Sequence, residues 1–269
     1  MDKNNLQLKS IEKLIQLEKE LKQQGLSLDR NLSLIIENQT FRYETTPYDV
    51  ITFASTGGDG IHFGFLTDFG TVKNLEETYI VCVSPMRYPQ HIKVVARNIR
   101  EFIAVVCTLK SAMVIENFTF FTEEKQYQKL IDDWDEISSE FKLNALYVSD
   151  RLKQEFGVQE LSNLYTYVDG VLTERANRTI LPTLDGIGIV SISKQSDSHK
   201  VFPLSKDVIP SYQDVLDFFE GATLESKLAF IRDSQYTLLI DSDYDMRELV
   251  IEEMLKIGLH DEVDKLTEY

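Results

Sequence analysis

The 269-residue sequence predicts an α+β fold: an antiparallel meander sheet flanked by helices, with an acidic, mainly helical C-terminal part. Three observations predict it. Between Leu32 and Ala96 the chain breaks into short runs rich in β-branched and aromatic residues, separated by turn-prone clusters. Segments of helical period flank that region on both sides. Charge is also uneven, since residues 1–110 hold 13 acidic and 13 basic side chains whereas residues 111–269 hold 31 against 15.

The first helix is expected from Leu6 to Gln24, where Ile11, Leu14, Ile15 and Leu21 recur at helical spacing. Glu18 and Lys22 form an i,i+4 pair, and Gly25 supplies the stop. "LSLIIE", "TFRYE", "DVITFAS", "IHFGFLT", "TYIVCVS" and "IKVVA" then read as strands. "RNIREFIAVVCTLKSA" returns to helix, with Ile99, Phe102, Ile103 and Val106 on one face. In "TEEKQYQKLIDDWDEISSEF" an apolar stripe runs through Tyr127, Leu130, Ile131, Trp134, Ile137 and Phe141, with Thr122 as the expected N-cap. Trp134, the only tryptophan, is thereby assigned to the core.

Beyond Leu143, "LNALYVSDRLKQEFG" reads as helix, "LYTYVDGVLT" as a hairpin around Asp169-Gly170, and "TLDGIGIVSIS" as a strand after a turn. "SYQDVLDFFEG", opened by a capping-box-like Ser211…Asp214, "LESKLAFIRDS" and "DMRELVIEEMLKIG" are helices. The charge break near 111–120 sets the expected boundary, giving regions 1–115 and 116–269.

Hydrophobic content of 43% with 27% charged residues describes a folded chain. No apolar run reaches the roughly 20 residues of a membrane span. The N-terminus reads as a charged amphipathic helix rather than a signal peptide, so a cytoplasmic location is expected. The mixed Lys and Glu on that helix's polar face disfavour a membrane surface. Cys82 and Cys107 sit inside apolar runs, as buried reduced thiols do. The net charge of −16 repels nucleic acid and favours a basic protein partner.

The stretch "FASTGGDGIHFGFLTDFG" carries the chain's densest glycines. A phosphate-binding loop needs Lys and Ser/Thr after its last glycine, and Gly57-Gly58-Asp59-Gly60 has neither. A dinucleotide fingerprint enters a helix, whereas this one enters the alternating "IHFGFL". The expected role of Gly57, Gly58, Asp59 and Gly60 is a structural hairpin turn. Ile61, Phe63 and Phe65 would face the core, with Asp59 and His62 able to meet near the turn.

No metal site is expected. The four histidines lack ligand spacing. Asp241, Asp243, Asp245 and Glu252 mimic positions 1, 3, 5 and 12 of a calcium loop, but Met246 stands where glycine is needed. Helix capping explains those aspartates instead.

From the first helix, through "TPYDVITFASTGGDGIHFGFL" and further strands to "VVARNIREFIAVV", the chain resembles the SUKH superfamily, which includes SMI/KNR regulators of yeast glucan synthesis and bacterial toxin-immunity proteins. The resemblance covers some two-fifths of the chain and implies an α+β domain that works by binding; it supplies no catalytic residue.

The expected function is a non-enzymatic protein-binding module, an immunity or regulatory protein that occludes a partner, without cofactor. The acidic excess suits a basic toxin. Partner contact is expected at Asp132, Asp133, Asp135 and Glu136, or at Asp241, Asp243 and Asp245. Two other classes compete: a small-ligand binder or enzyme using the Gly57–His62 corner, and a multi-partner regulatory scaffold.

Overall fold

Helix α1 (Lys9–Gln23) forms where Ile11, Leu14, Leu17 and Leu21 bury one face. Its first turn is capped from far along the chain: Ser10 N donates to Glu76 Oε1 at 3.0 Å and Ser10 Oγ donates to Oε2. Gly25, at φ +74°, ends it, with Leu26 N returning to the Leu21 carbonyl. The Glu18–Lys22 pair forms at 3.1 Å. The computed structural model describes residues 8–37, 39–135, 139–192, 198–206 and 208–267, so the expected helix start at Leu6 lies outside them.

A short helix, α2 (Leu28–Leu32), leads into five antiparallel strands in sequential order: β1 (Ile35–Ile36), β2 (Val50–Ser55), β3 (His62–Leu66), β4 (Ile80–Val83) and β5 (Ile92–Ala96). This is the expected meander, with one correction. "TFRYE" is not a strand, because Phe41 and Tyr43 turn their rings onto His62, with centroids 5.4 and 5.5 Å away.

Helix α3 (Ile99–Leu109), capped by Asn98, is buried almost all round and sets Phe102 against Phe53 and Phe63. Cys82 and Cys107 are free and buried, and burial pushes the Cys107 thiol up to about 11.

Helices α4 (Glu124–Asp135), α5 (Ser139–Phe156) and α6 (Leu164–Arg178) follow. The stripe expected across α4 and α5 holds through α4 and weakens at Phe141, whose ring still meets Trp134 edge-on at 6.3 Å. Tyr127 is buried and Leu130, Ile131 and Trp134 pack partly buried on the core, but Phe141 is exposed, and Ile137 lies outside the described residues. Helix α4 starts one residue later than a Thr122 cap implies, and Gln126 Oε1 accepts from both Thr122 N and Glu123 N.

The expected hairpin at Asp169-Gly170 is helix α6. Leu164, Val168 and Val171 are buried at helical spacing, and Asn163 Oδ1 accepts from Thr166 N at 2.8 Å. A Cβ on Gly170 would sit 3.2 Å from an Arg97 guanidinium nitrogen, a tight contact with the end of a flexible side chain.

The chain divides into two compact units, one of Met1–Tyr43, Val50–Thr67 and Asn74–Glu174, the other of Glu44–Asp49, Asp68–Lys73 and Arg175–Tyr269. The division at 174/175 differs from the expected 115/116. Ala145, Val148, Leu152, Leu164 and Val168 share a core with the sheet, so apolar packing continues past the charge break.

In the second unit β6 (Thr179–Leu181) pairs antiparallel with β7 (Ile189–Val190), followed by α7 (Tyr212–Gly221), α8 (Leu224–Tyr236), α9 (Leu239–Ser242), α10 (Tyr244–Lys256) and α11 (His260–Thr267). Ser211 Oγ caps α7 by accepting from Asp214 N, as its sequence implies.

Helix α8 is buried on nearly every side and carries charge inward. Arg232 donates to Asp49 and, at 2.8 Å, to the Gly188 carbonyl, while Asp185 lies 3.7 Å from its Nε. Arg175 holds Asp68 with two hydrogen bonds of 2.9 and 2.7 Å and also donates to Ile187 O and Gly188 O. Gln235 fixes the Glu44–Asp49 segment through the Glu44 and Thr46 carbonyls and Tyr48 N.

Removing one partner from a buried pair leaves an uncompensated charge. Arg232→Ala is therefore expected to destabilise the second unit by about 3–5 kcal/mol, read by denaturant unfolding followed by hydrogen exchange within α8. A loss under about 1 kcal/mol would contradict this assignment.

Burial raises the Asp233 carboxyl to about 7, with Asp185 adding to the effect and the Leu184 N–H and Arg232 opposing it. The folded state thus keeps a proton that the unfolded chain loses near pH 4, so this contribution to stability declines as pH rises from about 4 to 7. Asp233→Asn, which keeps an acceptor for Leu184 N, is expected to stabilise the protein at pH 8 relative to pH 5 by roughly 2–4 kcal/mol. Equal effects of the substitution at the two pH values would refute it.

Candidate functional site

The glycine-rich stretch forms the loop between β2 and β3. Thr56 N donates to Ile61 O and Ile61 N to Gly58 O, both at 3.0 Å. Gly57, Asp59 and Gly60 all take left-handed backbone angles, with φ of +73°, +51° and +69°. Glycine suits such angles and aspartate tolerates them, so the expected structural turn is present. Two of the glycines also make room. A Cβ on Gly57 would lie 2.8 Å from Ile35 Cδ1, and one on Gly60 would lie 3.2 Å from the Tyr43 ring.

Strand β3 carries the turn into the core. Phe63 and Phe65 face Phe102 and Phe53, as their alternation implies. The opposite face is buried too, and Gly64 is needed there because a Cβ would strike Val50 Cγ1 at 2.3 Å. His62 is buried between the rings of Phe41 and Tyr43, and its Nδ1 donates to Gly60 O at 2.7 Å. Burial holds the imidazole down at about 4, so it is neutral at pH 7. The Asp59 side chain is exposed at the turn.

Around this turn large apolar side chains stand in solvent. Tyr43 is 44% exposed, Met86 76%, Met113 42% and Phe120 41%. Met113 Cε lies 3.6 Å from the position of a Gly58 Cβ, and Pro85, beside Met86, lies 3.3 Å from that of Gly60. The Arg87 guanidinium sits 5.0 Å over the Phe120 ring and is held by Glu116 at 3.2 Å, and Glu116 also accepts from Ser84 Oγ. Beside the turn is a cleft of about 850 Å³, walled by Ile35, Ile36, Glu37 and Tyr43 and floored by Gly57 and Gly58.

The acidic candidates lie elsewhere. Asp132 and Asp133 are exposed on α4, each with a partner one turn back, Gln128 at 2.9 Å and Lys129 at 3.3 Å. Asp135 ends that helix, and Glu136 lies outside the described residues. Asp243 is the N-cap of α10, accepting from Met246 N at 2.9 Å, while Asp241 and Asp245 are exposed beside it. Met246 is buried within a continuous helix, which agrees with capping as the explanation of these aspartates. Among the described residues, no three His, Cys, Asp or Glu side chains are grouped so as to hold a metal. No single helix among them is long and apolar enough to cross a membrane.

The apolar rim escapes sequence reading because its members come from three separated segments. The signal that was available is the run of single methionines and aromatics next to turn residues, in "SPMRYP" and "SAMVIENFTFF".

The His62 environment gives a pH test. The unfolded chain binds a proton near pH 6.5 that the folded state refuses until about 4, so stability is lost as pH falls between those values. The loss is expected to be roughly 2–4 kcal/mol, and the His62 ring resonances should stay unchanged from pH 7 to pH 5. A titration midpoint near 6.5 would contradict the buried placement.

Compared with known proteins, the chain matches no family model and no curated protein.

Proposed function

We propose that the chain is a non-enzymatic protein-binding module, an immunity or regulatory protein that occludes one partner. The observation that carries this reading is the exposed apolar rim of Tyr43, Met86, Met113 and Phe120 around the Gly57–Gly60 turn. Large apolar side chains exposed near one turn favour a partner, and methionine, aromatic and arginine side chains are enriched where proteins meet. Methionine adapts to the surface it meets. The order of helix, five-stranded meander and closing helix supports the SUKH-like reading of the first unit.

The acids would act at longer range. Asp132 and Asp133 on one helix, and Asp241 and Asp245 beside another, add to a net charge of −16 that attracts a basic partner such as a toxin. The competing enzyme reading needs a working acid/base pair at the Gly57–His62 corner. A buried neutral imidazole donating to Gly60 O favours a structural part for His62.

The test begins with tagged protein in lysate of its native cells, where one basic protein at unit stoichiometry is expected. Met86→Asp with Phe120→Asp should weaken that complex by at least about 100-fold. Reversing charge at Asp132, Asp133, Asp241 and Asp245 should slow association and flatten its salt dependence. Unchanged affinity in the first variant would overturn contact through the rim, and an unchanged salt slope in the second would overturn steering.

A further inference from the structure

The cleft beside the glycine turn has the form of a site for an extended chain. Its wall is β1, the first strand in the sheet order, which among the described residues pairs with β2 alone. The register sets Ile36 opposite Ala54, and Glu37 N donates to Phe53 O at 3.0 Å. In an antiparallel ladder, hydrogen-bonded and non-bonded residue pairs alternate. Ile36 therefore occupies a non-bonded pair, and its N–H and C=O point away from β2, toward the open edge.

The surroundings fit one kind of occupant. Tyr43 forms an aromatic wall and Ile36 an apolar one, while the floor at Gly57 and Gly58 has no side chains. Ile35 Cδ1 already occupies the space over Gly57, so a second backbone can come close at Gly58. Among the described residues lining the cleft, Glu37 is the only charged one, and Asp59 is exposed on the turn next to it. The nearby Arg87 is already held by Glu116. Glu37, which also accepts from Ser55 Oγ at 2.6 Å, and Asp59, whose charge also acts on Arg87, are the acids that a cationic side chain would meet here.

We propose that this cleft binds an extended cationic segment of a protein partner, added as a strand on the free edge of β1. The proposal rests on the binding reading above and names the segment's chemistry. Main-chain bonds at Ile36 supply affinity independent of sequence. Alternate side chains sort themselves, apolar ones against Tyr43 and cationic ones toward Glu37 and Asp59.

The probe is an acetylated, amidated octapeptide alternating Lys and Val, titrated into the full chain and followed by backbone amide shifts. The expected result is a Kd tighter than roughly 1 mM, with perturbations concentrated at Ile36, Glu37, Ser55 and Gly58. The matching Glu/Val octapeptide should bind at least tenfold more weakly, as should a Lys/Val peptide methylated at alternate amides.

Two variants leave the fold in place. Ile36→Pro removes the outward N–H together with the isoleucine side chain, so Ile36→Val, which keeps the N–H, serves as its control; Gly58→Leu fills the floor at a residue outside the left-handed region whose Cβ would make an ordinary 3.6 Å contact with Met113. Ile36→Pro and Gly58→Leu should each weaken the Lys/Val peptide at least tenfold with the unfolding transition retained. The proposal is overturned by no binding at about 1 mM peptide, by shifts confined elsewhere, by equal binding of the Glu/Val peptide, or by affinity that survives both variants. Any of these leaves the binding reading to the partner experiment above, where the Met86 and Phe120 substitutions spare the cleft.

Discussion

The Gly57–Gly60 turn is the constraint on which the sheet's exposed end depends. Three of its four residues hold left-handed backbone angles, and two of its glycines leave space that Ile35 and the Tyr43 ring approach. A side chain at Gly57 or Gly60 would be strained by its backbone angle, and Ile35 or the Tyr43 ring would have to shift to admit it. Tyr43 in turn covers His62, which closes the outer face of β3. The residues that look most like a catalytic corner in the sequence thus shape the turn and the surface beside it.

The second unit is organised around buried charge. Arg175 and Arg232 both donate to the Gly188 carbonyl, and each also holds an aspartate, Asp68 or Asp49. Gly188 itself, at φ +73°, would bring a Cβ within 2.3 Å of Thr179 Cγ2. Apolar residues of similar size could pack such a centre with comparable stability. The directional bonds to one carbonyl fix a single arrangement of loop 183–188 against α8, which is a reason for keeping ions there. Asp185 reinforces the loop by accepting from Thr183 Oγ1 at 2.5 Å and Ile187 N at 2.9 Å.

How much of this was legible follows from how local each signal is. The meander, the main helices, the Ser211 cap and the Glu18–Lys22 pair depend on neighbours in sequence, and the residues state them directly. "LYTYVDGVLT" misled because Asp-Gly suggests a turn, yet Val168 and Val171 belong to a helical face and Gly170 lies beside Arg97, far away in sequence. "TFRYE" has strand composition, but its aromatics are spent on ring contacts. In α8, Leu228, Arg232 and Gln235 fall at i, i+4 and i+7, so an arginine lies on a buried face. That local clue to an internal ion pair is readable, while its partners Asp49 and Asp185 are not. The glycine turn could be read as structural, whereas the rim and cleft beside it depend on distant segments converging.

If recognition occurs at the glycine-turn end of the sheet, contact with the partner should concentrate there. Site-specific photocrosslinking in the native cell tests it most directly, with a benzophenone amino acid placed in turn at Tyr43, Met86, Asp133 and Tyr244, all exposed. One protein is expected to crosslink from Tyr43 and Met86, and far less from the other two positions. Crosslinks to that protein only from Asp133 or Tyr244 would contradict it.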